Sequence, residues 1–218
     1  MSKKVGVVLS GCGYLDGAEI YESVCALLVL EQAGADIRCF APDIDFDVVD
    51  HRSAEASGEK RNVLTEASRL ARGEISELGE AKAEDLDALV LPGGFGAAKN
   101  LSNFASAGVD CEVHPGLAKL LLDMHAQNKP IAAICIAPAV LAKVLGDKGP
   151  KLTIGTDEGT AKALEALGCE HQNCSAEEVV VDEKNRIVST PAYMVGTGIK
   201  EVERGIRKAI DALMGMLA

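Results

Sequence analysis

The amino-acid sequence predicts an α/β sandwich around a mainly parallel sheet. Short apolar runs rich in β-branched residues alternate with amphipathic helical stretches. Most of the runs are apolar at every position, the pattern of strands covered on both faces. Residues 5–9 form the first run, closed by Ser10-Gly11. Residues 19–33 read as a helix, with Ile20, Val24, Leu27 and Leu28 at helical spacing and Gly34 as the stop. That spacing turns 20, 24, 27 and 28 toward the sheet and leaves Glu22 off their stripe, where most glutamates are solvated. Residues 37–41 form the second strand, halted by Pro42, and the polar, aperiodic stretch 43–58 reads as an excursion. A helix over 62–72 and a buried strand over 86–91 follow, the strand ending in Pro92-Gly93-Gly94.

In the second half, residues 115–127 place Leu117, Leu120, Leu121 and Met124 on one helical face, flanked by His114 and His125. A strand over 131–134 runs into a helix over 137–145, and 152–154 with 160–167 repeat the pair. Two runs, 179–181 and 186–190, flank Asp-Glu-Lys-Asn as a hairpin. Ile199, Val202, Ile206, Ile210, Leu213 and Leu217 keep register along a last helix. Without a repeat, linker or low-complexity break, residues 1–218 read as a single domain.

The 218 residues carry 22 Lys and Arg against 33 Asp and Glu, a formal net charge of −11. Such an excess of acid repels phosphate backbones, so no nucleic-acid partner is expected. A 25% charged and 48% hydrophobic composition excludes a disordered chain, and 3% aromatics without Trp demand an aliphatic, alanine-rich core. Seven scattered cysteines, an odd count, suit reduced thiols in the cytoplasm better than a disulfide framework. The apolar run after Lys3-Lys4 is too short for a secretory signal, and no stretch has the length of a membrane span, so no membrane partner is expected.

In open α/β sheets, ligands bind beyond the carboxyl ends of the strands, which directs attention to the loops after Leu9, Leu91 and Ile134. The third loop carries Cys135 between a strand and a helix whose first turn holds Pro138. Small neighbours allow the tight turn of a nucleophile elbow, and a helix N-terminus favours a thiolate. A buried structural cysteine is the other reading of that position. In the second loop, Gly93-Gly94 bares backbone N–H groups; with Cys135 nearby, those of Gly94 and Ile136 are suited to an oxyanion hole, whereas alone they mark only a turn. The first loop, Ser10-Gly11-Cys12-Gly13-Tyr14-Leu15-Asp16-Gly17, resembles a dinucleotide fingerprint. However, Asp16 would repel pyrophosphate and no acid closes the second strand, so no cofactor is expected. Cys169, His171 and Cys174 lack a fourth ligand at zinc spacing, so no metal is expected.

Cys135 in AAICIAP, LPGG at 91–94, Asn100-Leu101-Ser102 and Glu22 together resemble the DJ-one/PfpI superfamily, which has the class I glutamine amidotransferase-like fold. SGCG (10–13), DGAEI (16–20), LPGGFGAAKNLSNFAS (91–106), CIAPA (135–139), LTIGTD (152–157) and TPAYM (190–194) are similar to its ElbB branch almost end to end. The resemblance implies a flavodoxin-like three-layer sandwich, usually homodimeric. It also implies Cys135 as nucleophile, Glu22 as the acid touching the thiol, and Gly94 and Ile136 as oxyanion-hole amides. Two histidines of related members are absent: Ile136 follows the nucleophile, and Ile154-Gly155-Thr156 follows the next strand. Without a local Cys–His dyad, protease and amidotransferase chemistry is disfavoured. The implied activity is a cofactor-independent, glutathione-independent glyoxalase of the lyase or hydratase type. It would convert small 2-oxoaldehydes, glyoxal or methylglyoxal, slowly to glycolate or lactate through a Cys135 hemithioacetal. The alternatives are a protein deglycase, or a non-catalytic redox-sensing or regulatory protein linked to isoprenoid metabolism.

Overall fold

Strand β1 (Lys4–Val8) is buried at all but its first residue, so it needs neighbours on both edges and cover on both faces. Parallel partners flank it: β2 (Asp36–Ala41) on one side and β6 (Ala88–Leu91) on the other. Beyond β6 lie β7 (Ile131–Ile134), β11 (Ile187–Thr190) and β10 (Val180–Asp182), and beyond β2 lies β5 (Ile75–Glu77). The resulting seven-stranded order is β10-β11-β7-β6-β1-β2-β5, parallel throughout except for β10, the antiparallel arm of the expected hairpin. This computed structural model describes residues 2–217.

Helices cover both faces, in the flavodoxin-like arrangement. On one face, α1 (Ile20–Gln32), α2 (Val63–Ala67) and α8 (Ile199–Gly215) pack on Val5, Val7, Leu9 and Val90. In α8, Val202, Ile206, Ile210 and Leu213 are fully buried as their spacing predicts, each contributing about 1.5–3 kcal/mol of burial. The other face is covered by α3 (Phe95–Lys99), α5 (Pro115–Ala126), α6 (Pro138–Leu145) and α7 (Glu158–Ala166), packed on Val8, Leu89, Leu91 and Ala133. A short α4 (Phe104–Ala107) follows α3, and β8 (Lys151–Leu152) pairs with β9 (Glu170–His171) in a small separate ladder.

Three expectations need correction. The stretch 43–58 is not an aperiodic excursion: β3 (Asp45–Val49) and β4 (Ala56–Asn62) form an antiparallel hairpin. Phe46 and Val48 alternate inward along β3, but β4 contributes no buried residue, so only one arm carries a hydrophobic signal. The helix expected over 62–72 ends at Ala67 and gives way to turns, with positive φ at Arg72 and Gly73, before the short β5. Third, α1 is rotated from the expected phase. Glu22, Ser23, Cys25, Ala26, Val29 and Leu30 face inward, while Ile20, Val24 and Leu28 are exposed together with Tyr21. The helix is apolar nearly all round, so hydrophobicity does not fix its phase. Close approach to the sheet and to α8 does, and it selects the small side chains of Ser23, Cys25 and Ala26.

Candidate functional site

Because β1 pairs with β2 on one edge and β6 on the other, the strand order reverses there. A crevice therefore opens at the carboxyl ends of β1, β6 and β7. The loop after β1 and the turn after β6 are laced by backbone hydrogen bonds. Glu19 N donates to Gly93 O (2.9 Å), Phe95 N to Tyr14 O (2.8 Å) and Gly96 N to Gly17 O (2.9 Å). Asn100 adds a clamp, its Nδ2 donating to both Ser10 O and Asp16 O at 2.8 Å. Gly94 has φ of 92°, and a Cβ there would stand 2.4 Å from Glu19 N and from Gly17 O, so only glycine permits this approach.

Cys135 stands on the tight turn from β7 into α6. Its backbone has φ of 63°, a left-handed conformation that costs a non-glycine residue about 1–2 kcal/mol. Cys135 N still donates to Thr190 O (2.9 Å), and Ala137 N folds back to Ile134 O (3.0 Å), which holds the bend. The backbone N–H groups of Gly94 and Ile136 lie close enough to the Cys135 sulfur to favour its anion. Glu22 arrives from the first turn of α1, fully buried and close enough to the same sulfur for each group to shift the other's ionisation. Its Oε2 accepts from Gly93 N (3.0 Å) and its Oε1 from Tyr193 N (3.3 Å), so two amides fix the carboxyl plane. Glu19 caps α1, its Oε2 accepting from Glu22 N at 2.6 Å.

Thus Cys135, Glu22, Gly94 and Ile136 are brought together. Glu22 is not the solvated residue its position off the apolar stripe suggested. Gly93 and Tyr193 are contributors that sequence reasoning left out. Both act through backbone N–H groups, which leave no side-chain signature; the only hint was that PGG and TPAYM both follow carboxyl ends of strands. A Cβ on Gly93 would lie 2.3 Å from Cys135 Cβ and 2.7 Å from Glu22 Oε2, so glycine there is a condition of the Cys–Glu contact.

The electrostatics revise a second expectation. A thiolate was anticipated from the helix N-terminus, but burial pushes the Cys135 thiol well above the ordinary range, and the Glu22 charge adds to that. The two amide N–H groups pull in the opposite direction without winning. Burial, then the neighbouring Glu19, raises the Glu22 carboxyl to about 8. At neutral pH the resting pair is therefore mainly a carboxylic acid beside a thiol.

A cleft of about 500 Å3 opens over Cys135 and Ile136, with Phe95, Phe104, Tyr193 and Met194 among its walls. No histidine lines it among the described residues. His51 stacks edge-on against Tyr14 (5.4 Å between centroids), His125 meets Asn185, and His171 accepts from Ile154 N. Asp16 has a structural task, its Oδ2 accepting from Val49 N (2.8 Å) to tie the β3–β4 hairpin to the first loop. Cys12 lies in a separate cavity of about 320 Å3 beneath that hairpin. A larger hollow of about 710 Å3, along β2 and the amino ends of β1 and β5, holds none of the candidate site residues. No group of three or more His, Cys, Asp or Glu able to hold a metal occurs among the described residues.

A profile of the DJ-1/PfpI family matches residues 8–196. The human glutamine amidotransferase-like class 1 domain-containing protein 3, mitochondrial, is 44% identical over 214 residues, covering 93% of this chain and 79% of the relative. The rat ES1 protein homolog, mitochondrial, is 44% identical over 222 residues, covering 97% and 83%. Among solved structures, an isoprenoid biosynthesis protein with an amidotransferase-like domain from Ehrlichia chaffeensis superposes with a TM-score of 0.93 at 36% identity, each chain fully covered.

Proposed function

The chain belongs to the DJ-1/PfpI family, and on that premise we propose that it is a slow, cofactor-independent glyoxalase of the ElbB branch. The observation that carries the reading is the contact between Cys135, held at a left-handed turn under two amide N–H groups, and the buried carboxyl of Glu22. The likeness to the Ehrlichia isoprenoid biosynthesis protein supports the branch assignment.

The reactive form of the pair holds one proton, on Glu22, with the sulfur anionic under the amides of Gly94 and Ile136. The thiolate adds to the aldehyde carbon of glyoxal or methylglyoxal, and Glu22 gives its proton to the new alkoxide, leaving a hemithioacetal. Glu22, now a carboxylate, removes the hydrogen on that carbon while the hydroxyl proton passes to the neighbouring oxygen, giving an enediolate. Glu22 returns the proton to the second carbon, and the negative oxygen collapses to a Cys135 thioester. Water adds to the thioester carbon and the carbon–sulfur bond breaks. One water proton returns to the sulfur–carboxyl pair, and the 2-hydroxy acid ionises in solvent. The chemistry asks for a nucleophile, one proton carrier and an oxyanion site. Without an imidazole, and with the pair mostly protonated at pH 7, turnover is slow.

The test is glycolate formation from glyoxal by the wild type, Cys135→Ala and Glu22→Gln, with mass analysis for a Cys135-bound thioester. Both variants are expected to lose at least about a hundredfold in kcat/KM; wild-type rates in Cys135→Ala would refute the mechanism. All seven cysteines are unpaired, which suits a reducing compartment such as the cytoplasm. No helix among the described residues is long and apolar enough to cross a membrane. A second copy of the chain is the proposed occupant of the exposed face of α1, where Ile20, Tyr21, Val24 and Leu28 form an apolar patch.

A further inference from the structure

We propose that the cleft selects an uncharged 2-oxoaldehyde carrying an aromatic or branched aliphatic group, in preference to glyoxal itself and to any analogue bearing an anionic group. This deepens the glyoxalase reading and rests on it. Size is the first observation. About 500 Å3 lies in the range of pockets that enclose drug-sized ligands, whereas a four-heavy-atom dialdehyde would leave most of that volume to water. The walls are the second: Phe95, Phe104, Tyr193 and Met194 offer aromatic and thioether surfaces. Ile136 is the third. It immediately follows the nucleophile and lines the cleft with a branched aliphatic side chain, not a polar one.

Charge is the fourth. No Lys, Arg or His lines the cleft among the described residues, and its ionisable carboxyls are Glu19 and Asp157. Asp157 caps α7, and the hydrogen bond from Thr160 N holds it below the usual carboxylate range, so it is an anion at neutral pH. Lys99 is not among the lining residues; its Nζ donates to Leu15 O (2.9 Å) and lies 5.3 Å from the centroid of the Phe95 ring. A carboxylate or phosphate on the substrate would thus enter without a counter-charge. The same electrostatics assist the end of the cycle, since no cationic side chain among the described residues lines the cleft to retain the product once it ionises.

The experiment compares kcat/KM for glyoxal, phenylglyoxal and 4-carboxyphenylglyoxal, each divided by the rate of hemithioacetal formation with free N-acetylcysteine to remove intrinsic reactivity. Phenylglyoxal is expected to exceed glyoxal at least about tenfold, which burial of roughly 60 Å2 of ring surface supplies. The carboxylated analogue is expected to fall at least about tenfold below phenylglyoxal. Ala105→Arg, at an exposed position on the cleft wall, should narrow that second gap about fivefold. If glyoxal is converted and phenylglyoxal is no better, the substrate preference is overturned while the glyoxalase reading stands. If none of the three is converted, the glyoxalase reading falls, and protection of Cys135 from alkylation decides the character of the cleft. Acetophenone protecting better than acetone and 4-acetylbenzoate would uphold its apolar, anion-excluding character; equal protection by all three would overturn it.

Discussion

Replacing Glu22 with Gln removes one titratable group from the interior, and the structure says what stability should do. In the unfolded chain this carboxyl loses its proton near 4.5, whereas in the folded protein burial and Glu19 hold it to about 8. Between those values the folded state binds more protons than the unfolded state, so wild-type stability falls as pH rises. The full interval corresponds to about 5 kcal/mol. Against this, the glutamine has one acceptor oxygen where the carboxyl has two, so one of the bonds from Gly93 N and Tyr193 N is lost. That loss costs about 1 kcal/mol at every pH. Urea unfolding from pH 4.5 to 9 should therefore show the wild type more stable than Glu22→Gln at the acid end and less stable at the alkaline end. The difference between the two should vary by about 3–5 kcal/mol. Taking the difference between proteins cancels the titration of groups remote from this site. Parallel profiles would mean that Glu22 ionises normally in the fold, and the account of a protonated acid beside the thiol would be refuted.

Three further outcomes follow from the same geometry. The wild-type kcat/KM for glyoxal should rise about tenfold from pH 6 to 7 and about fivefold from 7 to 8, because the pair must shed one proton and its first loss falls near 8; a flat or falling profile would contradict this. Gly93→Ala forces a methyl group to within 2.3 Å of Cys135 Cβ and 2.8 Å of Ile134 O, so it should destabilise by about 1–3 kcal/mol and lower activity at least tenfold. Chemical denaturation and glycolate assays check both effects, and an unperturbed variant would remove Gly93 from the site. Val24→Asp combined with Leu28→Asp places charge on the exposed face of α1 and should yield monomers in analytical ultracentrifugation with folding retained; an unaltered association state would reject that face as the contact between copies.

How far the sequence disclosed this molecule depended on whether side chains or backbone carried the information. β1, β6, β7 and α8 were legible because continuous or periodic apolar residues have one stable placement. Cys135 was legible because a strand ran directly into a Pro-initiated helix through small residues. The phase of α1 was not, since Ile20, Val24 and Leu28 outweigh Cys25 and Ala26 in hydrophobicity but not in how closely they let the helix approach the sheet. That single rotation turned Glu22 inward. The β3–β4 hairpin stayed hidden because its partner arm, Ala-Ser-Gly-Glu-Lys-Arg-Asn, buries nothing and is held by backbone pairing and by the reach of Asp16 to Val49 N. The protonation of Cys135 was misjudged because sequence displays the helix that follows but not the desolvation that outweighs it.

The bend at residue 135 has an evolutionary corollary. A glycine would occupy that left-handed turn without strain, so the conformation of the bend alone does not call for a side chain. A lineage that gave up the activity would be free to make that exchange. On the proposed reading, relatives that lack the activity should therefore carry glycine at this bend more often than relatives that have it.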